Sequence, residues 1–190
     1  PPRIATALAY GILTDTLDLY LATRPDVVQT YLQVLQHCDM RLLARIQNPQ
    51  RPRSFFATLG KGIRNACVYR RLLVSHLGTV STPDLISQVA EFLLAYRRLH
   101  WCLITGRCQG RLHASLRTNR PDAQAGEVLR DAFGDRRLAG GHGAMAGGSC
   151  RIGLDATEDV WEAKEHELAA RLLKRLRISN KIEPRKPFTR

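Results

Sequence analysis

Apolar residues recur near helical spacing from the start of the chain, where Ile4, Leu8 and Ile12 predict a helix over residues 3–14. After "LDLYLATRPD" a second helix is expected from about 24 to 46, with Thr23 as N-cap and Asp26 in the capping-box position. Two prolines in "QNPQRPRS", residues 47–54, break the pattern and mark a boundary. A short helix is expected over 54–64, and "ACVYRRLLVSHLG" reads as one strand ending at Gly78. In "STPDLISQVAEFLLAYRR", Thr82 is the expected cap and Pro83 the first helical residue. Leu85, Val89, Phe92 and Tyr96 would line the apolar face of that helix.

Alternation then takes over. "HWCLITGRCQG" and "RLHASLRTN" predict two strands joined by a tight turn with glycine. "AGEVLRDAFG" is a short helix stopped by Gly134. "SCRIGL" is a last strand, and Asp155 with Glu158 caps a final helix expected to run to about 178. The acids of that helix gather at its start and its bases at its end, as the helix dipole favours. The tail "NKIEPRKPFTR" is expected to be disordered. Residues 65–155 thus follow the order β, α, β, β, α, β, which predicts an α/β fold: a mixed β-sheet domain with flanking helices.

A hydrophobic fraction of 44% in 190 residues suffices for one large domain or two small ones. Charge changes the picture more. Lys and Arg number 29 against 17 Asp and Glu, a formal net charge of +12. Such an excess suits an anionic partner, and the plainer alternative is a solvated basic surface. Arg far outnumbers Lys, and its planar fork matches phosphate. The 5 cysteines are odd in number and form no CxxC pair, which argues against a disulfide framework or a zinc knuckle. Reduced thiols, and hence a cytoplasmic location, are the expectation. No apolar run approaches the roughly 18 residues of a membrane span, so no membrane partner is expected. The chain opens without Met inside an apolar helical pattern, and it is expected to be the back part of a longer protein.

Three stretches could carry chemistry. In "RLHASLRTN", alternation sends Leu112, Ala114 and Leu116 to one face and His113, Ser115 and Arg117 to the other. Ser115 and Arg117 could hold a phosphate between a hydroxyl and a charged fork; taken alone, an outward polar strand face explains them as well. In "LAGGHGAMAGGS", residues 138–149, Gly140, Gly141 and their neighbours let backbone approach an anion, and His142 offers a directed donor. The spacing fits neither a P-loop nor a dinucleotide fingerprint, and by composition the stretch reads as a mobile loop or a phosphate cradle. In "TDTLD", Asp15 sits between two threonines at a helix end, where an acid can bind metal or simply end a helix.

"YGILTDT", a helix, a proline-marked linker and a strand-rich domain with "SLRTN" and "AGGHGAMAGG" resemble the DHH phosphoesterase family. The likeness covers residues 1 to about 155 and is strongest to its oligoribonuclease (nanoRNase) and exopolyphosphatase-like members. It implies that residues 1–46 are a helical remnant of a larger α/β catalytic domain and 47–64 a linker. It makes 65–155 a DHH-associated substrate-binding domain and 156–190 a C-terminal helix and tail. By the same resemblance Asp15 is a metal ligand of a two-manganese centre, and Ser115, Arg117, Gly140, Gly141 and His142 bind substrate. Ala139 and Met145 depart from the family's glycine-rich loop, and the Asp-His-His triplet is absent from these residues. The implied activity is hydrolysis of short oligonucleotides or 3′-phosphorylated nucleotides, with this chain alone inactive and a homodimer allowed. Two alternatives stand beside it: a non-catalytic single-stranded nucleic-acid or nucleotide-binding module, and a cyclic-dinucleotide phosphodiesterase of the same family. Stacking aromatics are scarce for the former, at 6% of residues.

Overall fold

A computed structural model of the chain describes every residue except Leu17, Pro121, Asn180, Thr189 and Arg190. Two compact units are present, Pro1–Arg51 and Pro52–Arg190.

The N-terminal unit holds α1 (Pro2–Asp15), α2 (Pro25–Leu35) and α3 (Met40–Gln47). Ala9, Leu13 and Leu43 are its buried apolar residues. Buried Thr6 donates to the Pro2 carbonyl at 2.8 Å and accepts the Asp39 N–H at 3.0 Å, tying α1 to the start of α3. The single helix expected over 24–46 is two helices. Asp39 accepts the Leu42 N–H at 3.0 Å and so starts a new helix where the pattern suggested continuation. The cap of α2 is Arg24, not Thr23, because Pro25 takes the first helical position and Asp26 pairs with Arg24 at 3.0 Å.

The C-terminal unit begins with α4 (Arg53–Arg64), which buries Phe55 and Leu59. Most of the expected linker is therefore a packed helix. The expected single strand over 66–78 is a hairpin, β1 (Cys67–Tyr69) and β2 (Leu72–Thr79), bent at Arg70 and Arg71. There follow α5 (Asp84–Leu94), β3 (Trp101–Cys108), β4 (Arg111–Thr118), α6 (Ala125–Phe133), β5 (Ala139–His142), β6 (Met145–Arg151) and α7 (Glu158–Arg175). The six strands form one sheet in the order β1-β2-β3-β4-β6-β5. Only β2 and β3 pair in parallel, joined by α5 as crossover, and all eight residues of β3 are buried. The chain is thus a mixed α/β fold with helices on both sheet faces.

One core joins the α6–α7 side of the sheet through Leu103, Leu112, Leu116, Leu129 and Leu172, and the other joins α4 and α5 through Phe55, Leu73, Val89 and Ile104. The alternation of β4 holds, with Leu112, Ala114 and Leu116 in the first core. On α5, Phe92 is 55% exposed and Leu93 is buried in its place, and no side chain caps the helix. Thr157, not Asp155, is the N-cap of α7, which stops at Arg175. α7 is fixed to the sheet by Arg107, which donates to Glu165 at 2.8 and 3.0 Å and to Glu158 at 2.6 Å. The hydrogen bonds to buried Glu165 push the Arg107 guanidinium further up in pKa, against the opposing pull of burial. Of the tail expected to be disordered, Asn180, Thr189 and Arg190 lie outside the described residues. The stretch between them is anchored: Val68 and Arg185 exchange backbone bonds of 2.8 and 3.0 Å, and the Phe188 ring lies 5.0 Å from that of Tyr96.

Candidate functional site

The glycine-rich stretch is neither a mobile loop nor a linker. It folds as the β5–β6 hairpin, with His142 opposite Met145 and a two-residue turn in which Gly143 has φ 47°. Backbone bonds pin the tip: Gly143 O accepts the Ala125 N–H at 3.0 Å, and Ala144 O accepts the Thr118 N–H at 2.9 Å. β6 pairs along the whole of β4.

Pairing sorts the glycines by face. A Cβ on Gly148 would collide with the Phe133 ring, and one on Gly141 would strike the backbone of Met145 and Ala146. Gly141 also adopts φ 149°, open to glycine alone in practice. Gly148 thus lets the hairpin lie close against α6, and Gly141 lets β5 close on β6. Gly140 and Gly147 are cross-strand partners on the opposite face, where a Cβ on either would meet nothing within 4 Å. They leave a patch of sheet as bare backbone.

Around this floor the strand register assembles polar side chains in rows. Ser115 lies opposite Gly147, which lies opposite Gly140. One row along, Arg117 faces Met145, which faces His142; on the other side His113 faces Ser149. α5 packs over β2, β3 and β4, and the sheet continues past it to β6 and β5. The result is a cleft of about 520 Å³, floored by Gly140, Gly147 and Ser115, with His113, Ser149 and Arg137 at one side and Pro83 and Ser87 of the α5 start at the other.

The electrostatics suit an anion. The Ser149 hydroxyl accepts from Arg111 Nε at 2.8 Å. Burial, and then the Arg111 charge, hold His113 below the usual imidazole pKa, so near neutrality it is an uncharged donor and acceptor. Arg117 is half-buried, and its Nε is both shielded from solvent and without a hydrogen-bond partner.

The expected site residues therefore divide. Ser115 and Gly140 line one cleft. Arg117 and exposed His142 belong to the same sheet face, a row beyond it. Gly141 faces the packed side. Asp15 is exposed at the end of α1 in the other unit. The described residues contain no group of three or more His, Cys, Asp or Glu able to hold a metal ion, so this donor set does not fit a manganese pair. Sequence reasoning placed His113 on this face without giving it a role, and left out Arg137, Gly147 and Ser149. The two glycine pairs spaced seven residues apart would have given Gly147, had the stretch been read as a hairpin.

No family model matches the chain. It is 28% identical over 153 residues to an uncharacterized protein of Methanocaldococcus jannaschii, across 80% of this chain and 31% of that protein. In structure it is similar to an exopolyphosphatase-related protein from Bacteroides fragilis, with a TM-score of 0.62 and 15% identity over 86% of this chain and 49% of that one. What the two share is the fold. A pGpG-specific phosphodiesterase from Vibrio cholerae aligns at a TM-score of 0.39 and 13% identity over 76% of this chain and 51% of that one, too slight a likeness to argue from. The chain spans 31% of the length of the curated relative and about half of the Bacteroides protein.

Proposed function

We propose that the C-terminal unit is the substrate-binding part of a manganese-dependent DHH-type phosphoesterase acting on short oligonucleotides or 3′-phosphorylated nucleotides. The observation that carries this reading is the paired Gly140 and Gly147, side-chain-free on an open sheet face beside Ser115. Any other residue at either position would cover the backbone that a phosphate could approach. The Ser115 hydroxyl would donate to a phosphate seated on this floor. Residues two apart on a strand lie about 6.8 Å apart, so the Arg117 fork is within reach of the same group or of the next phosphate. An arriving phosphate would accept from the open end of the Arg117 fork. Exposed His142 is placed to donate to a sugar or base at the rim.

Binding, charge neutralisation and orientation are thus the work of this chain's own residues. Asp15 is a single carboxylate, and no described cluster joins it, so the 190-residue chain alone should bind such esters without hydrolysing them. Calorimetric titration with a 3′-phosphorylated dinucleotide tests the reading. Gly147→Val should weaken binding at least tenfold while shifting Tm little, because the added side chain meets open space. Equal affinity in Gly147→Val and the unmodified chain would sink the proposal.

A further inference from the structure

A second cavity, of about 420 Å³, is cut into the edge of the α6–α7 side of the sheet. Five arginines line it: Arg70 and Arg71 from the β1–β2 turn, Arg120 after β4, and Arg175 and Arg177 from the end of α7. Asp122 is the one carboxylate among the lining residues. Arg175 pairs with Asp131 at 2.6 Å, outside the lining. Among the described residues Arg70, Arg71, Arg120 and Arg177 make no ion pair. Arg71 Nη1 lies 2.9 Å from His100 Nε2. Desolvation, then the charges of Arg71 and Arg120, hold His100 below its ordinary pKa, in keeping with the positive charge that converges here.

Backbone geometry is a second, independent sign. Arg70 has φ 55° and Arg177 has φ 57°, the left-handed region where glycine or asparagine is the ordinary choice. Arg177 sits at the glycine position of a Schellman motif: Ile178 N–H donates to Leu173 O at 2.9 Å and Arg177 N–H to Lys174 O at 3.1 Å. Both turns carry an arginine at a backbone cost, and both arginines line the same cavity.

We propose that this cavity binds an oligophosphate, the run of adjacent phosphates found in inorganic tripolyphosphate or in a nucleoside triphosphate. A single phosphate would leave most of the four guanidinium charges that make no ion pair unanswered, whereas three linked phosphates match them within a cavity of ligand size. A nucleic-acid strand fits less well. Trp101, the aromatic residue of the lining, is 8% exposed and offers no stacking platform.

The test is calorimetric binding of tripolyphosphate, ATP and inorganic phosphate to the full chain at 150 mM salt. Tripolyphosphate and ATP should bind at least tenfold more tightly than phosphate. Similar affinity for the two would assign recognition to the phosphate chain, and tighter ATP would add a contact from the nucleoside; both outcomes support the site. Arg70→Asn with Arg177→Gly should cut tripolyphosphate binding at least tenfold and raise Tm by roughly 2–4 °C, since both residues suit the turns better. Arg120→Gln should weaken binding severalfold without touching either turn. Dinucleotide binding on the Gly147 face should stay within twofold in all three replacements, and Gly147→Val should leave tripolyphosphate binding intact. Unchanged tripolyphosphate affinity in both the Arg70/Arg177 and Arg120 variants overturns the proposal. So does single-stranded RNA binding that these variants weaken and tripolyphosphate does not displace.

Discussion

Beside Gly147 an added Cβ would meet no atom within 4 Å, whereas beside its neighbour Gly148 it would run into the Phe133 ring. Two glycines in a row thus answer to different demands, one to leave a surface bare and one to let a helix close. Composition could show only that the segment lacks side chains. Arg117 poses the complementary case, a side chain whose Nε is buried without an acceptor, at a cost of about 1–3 kcal/mol. Arg117→Met keeps the length and removes the orphaned donor. It should raise the unfolding free energy by about 1 kcal/mol in urea titrations and weaken dinucleotide binding tenfold or more. Loss of stability together with unchanged binding would show that the guanidinium serves packing alone. Ser115 and Arg117 could be placed on one face from sequence because β4 alternates cleanly. Their meeting with Gly140 and Ser149 could not, because strand pairing is a long-range fact.

At the scale of elements, hydrophobic pattern located the helices and strands wherever side chains mark the period. It failed in the glycine-rich segment because glycine carries no hydropathy to alternate, and the hairpin there is specified by backbone pairing with β4 and by the turn at Gly143. It failed again at residues 36–39, where the apolar spacing runs on but Asp39 captures the Leu42 N–H and begins α3. The docking of α7 rests on a polar device that periodicity does not reveal. Glu165 is 2% exposed and holds Arg107 through two of its three carboxylate bonds. Glu165→Ala should cost about 3 kcal/mol, read from denaturant unfolding, because it strands a buried guanidinium with Glu158 as its remaining partner. Glu165→Gln keeps one acceptor oxygen for Arg107 and should cost less.

For the whole molecule, the net charge of +12 said only that an anion is a suitable partner. Folding gathers part of that excess in the C-terminal unit, in the five-arginine cavity toward α6 and α7, whereas the glycine-floored cleft beside α5 is lined by one arginine, Arg137, paired with Asp135. The mixed α/β class was legible because its elements alternate along the chain, and the fold shared with the exopolyphosphatase-related protein agrees with it. Metal chemistry was the least legible part. A centre needs several ligands brought together, and the described residues gather no group of three that could form one. The central claim is that the bare face of β4, β6 and β5 receives a phosphate ester. Amide NMR of the labelled chain during titration with a 3′-phosphorylated dinucleotide tests it most directly. Saturable shifts should appear at Ser115, Gly140 and Gly147, whereas a saturated complex that leaves these three amides unmoved would contradict the account.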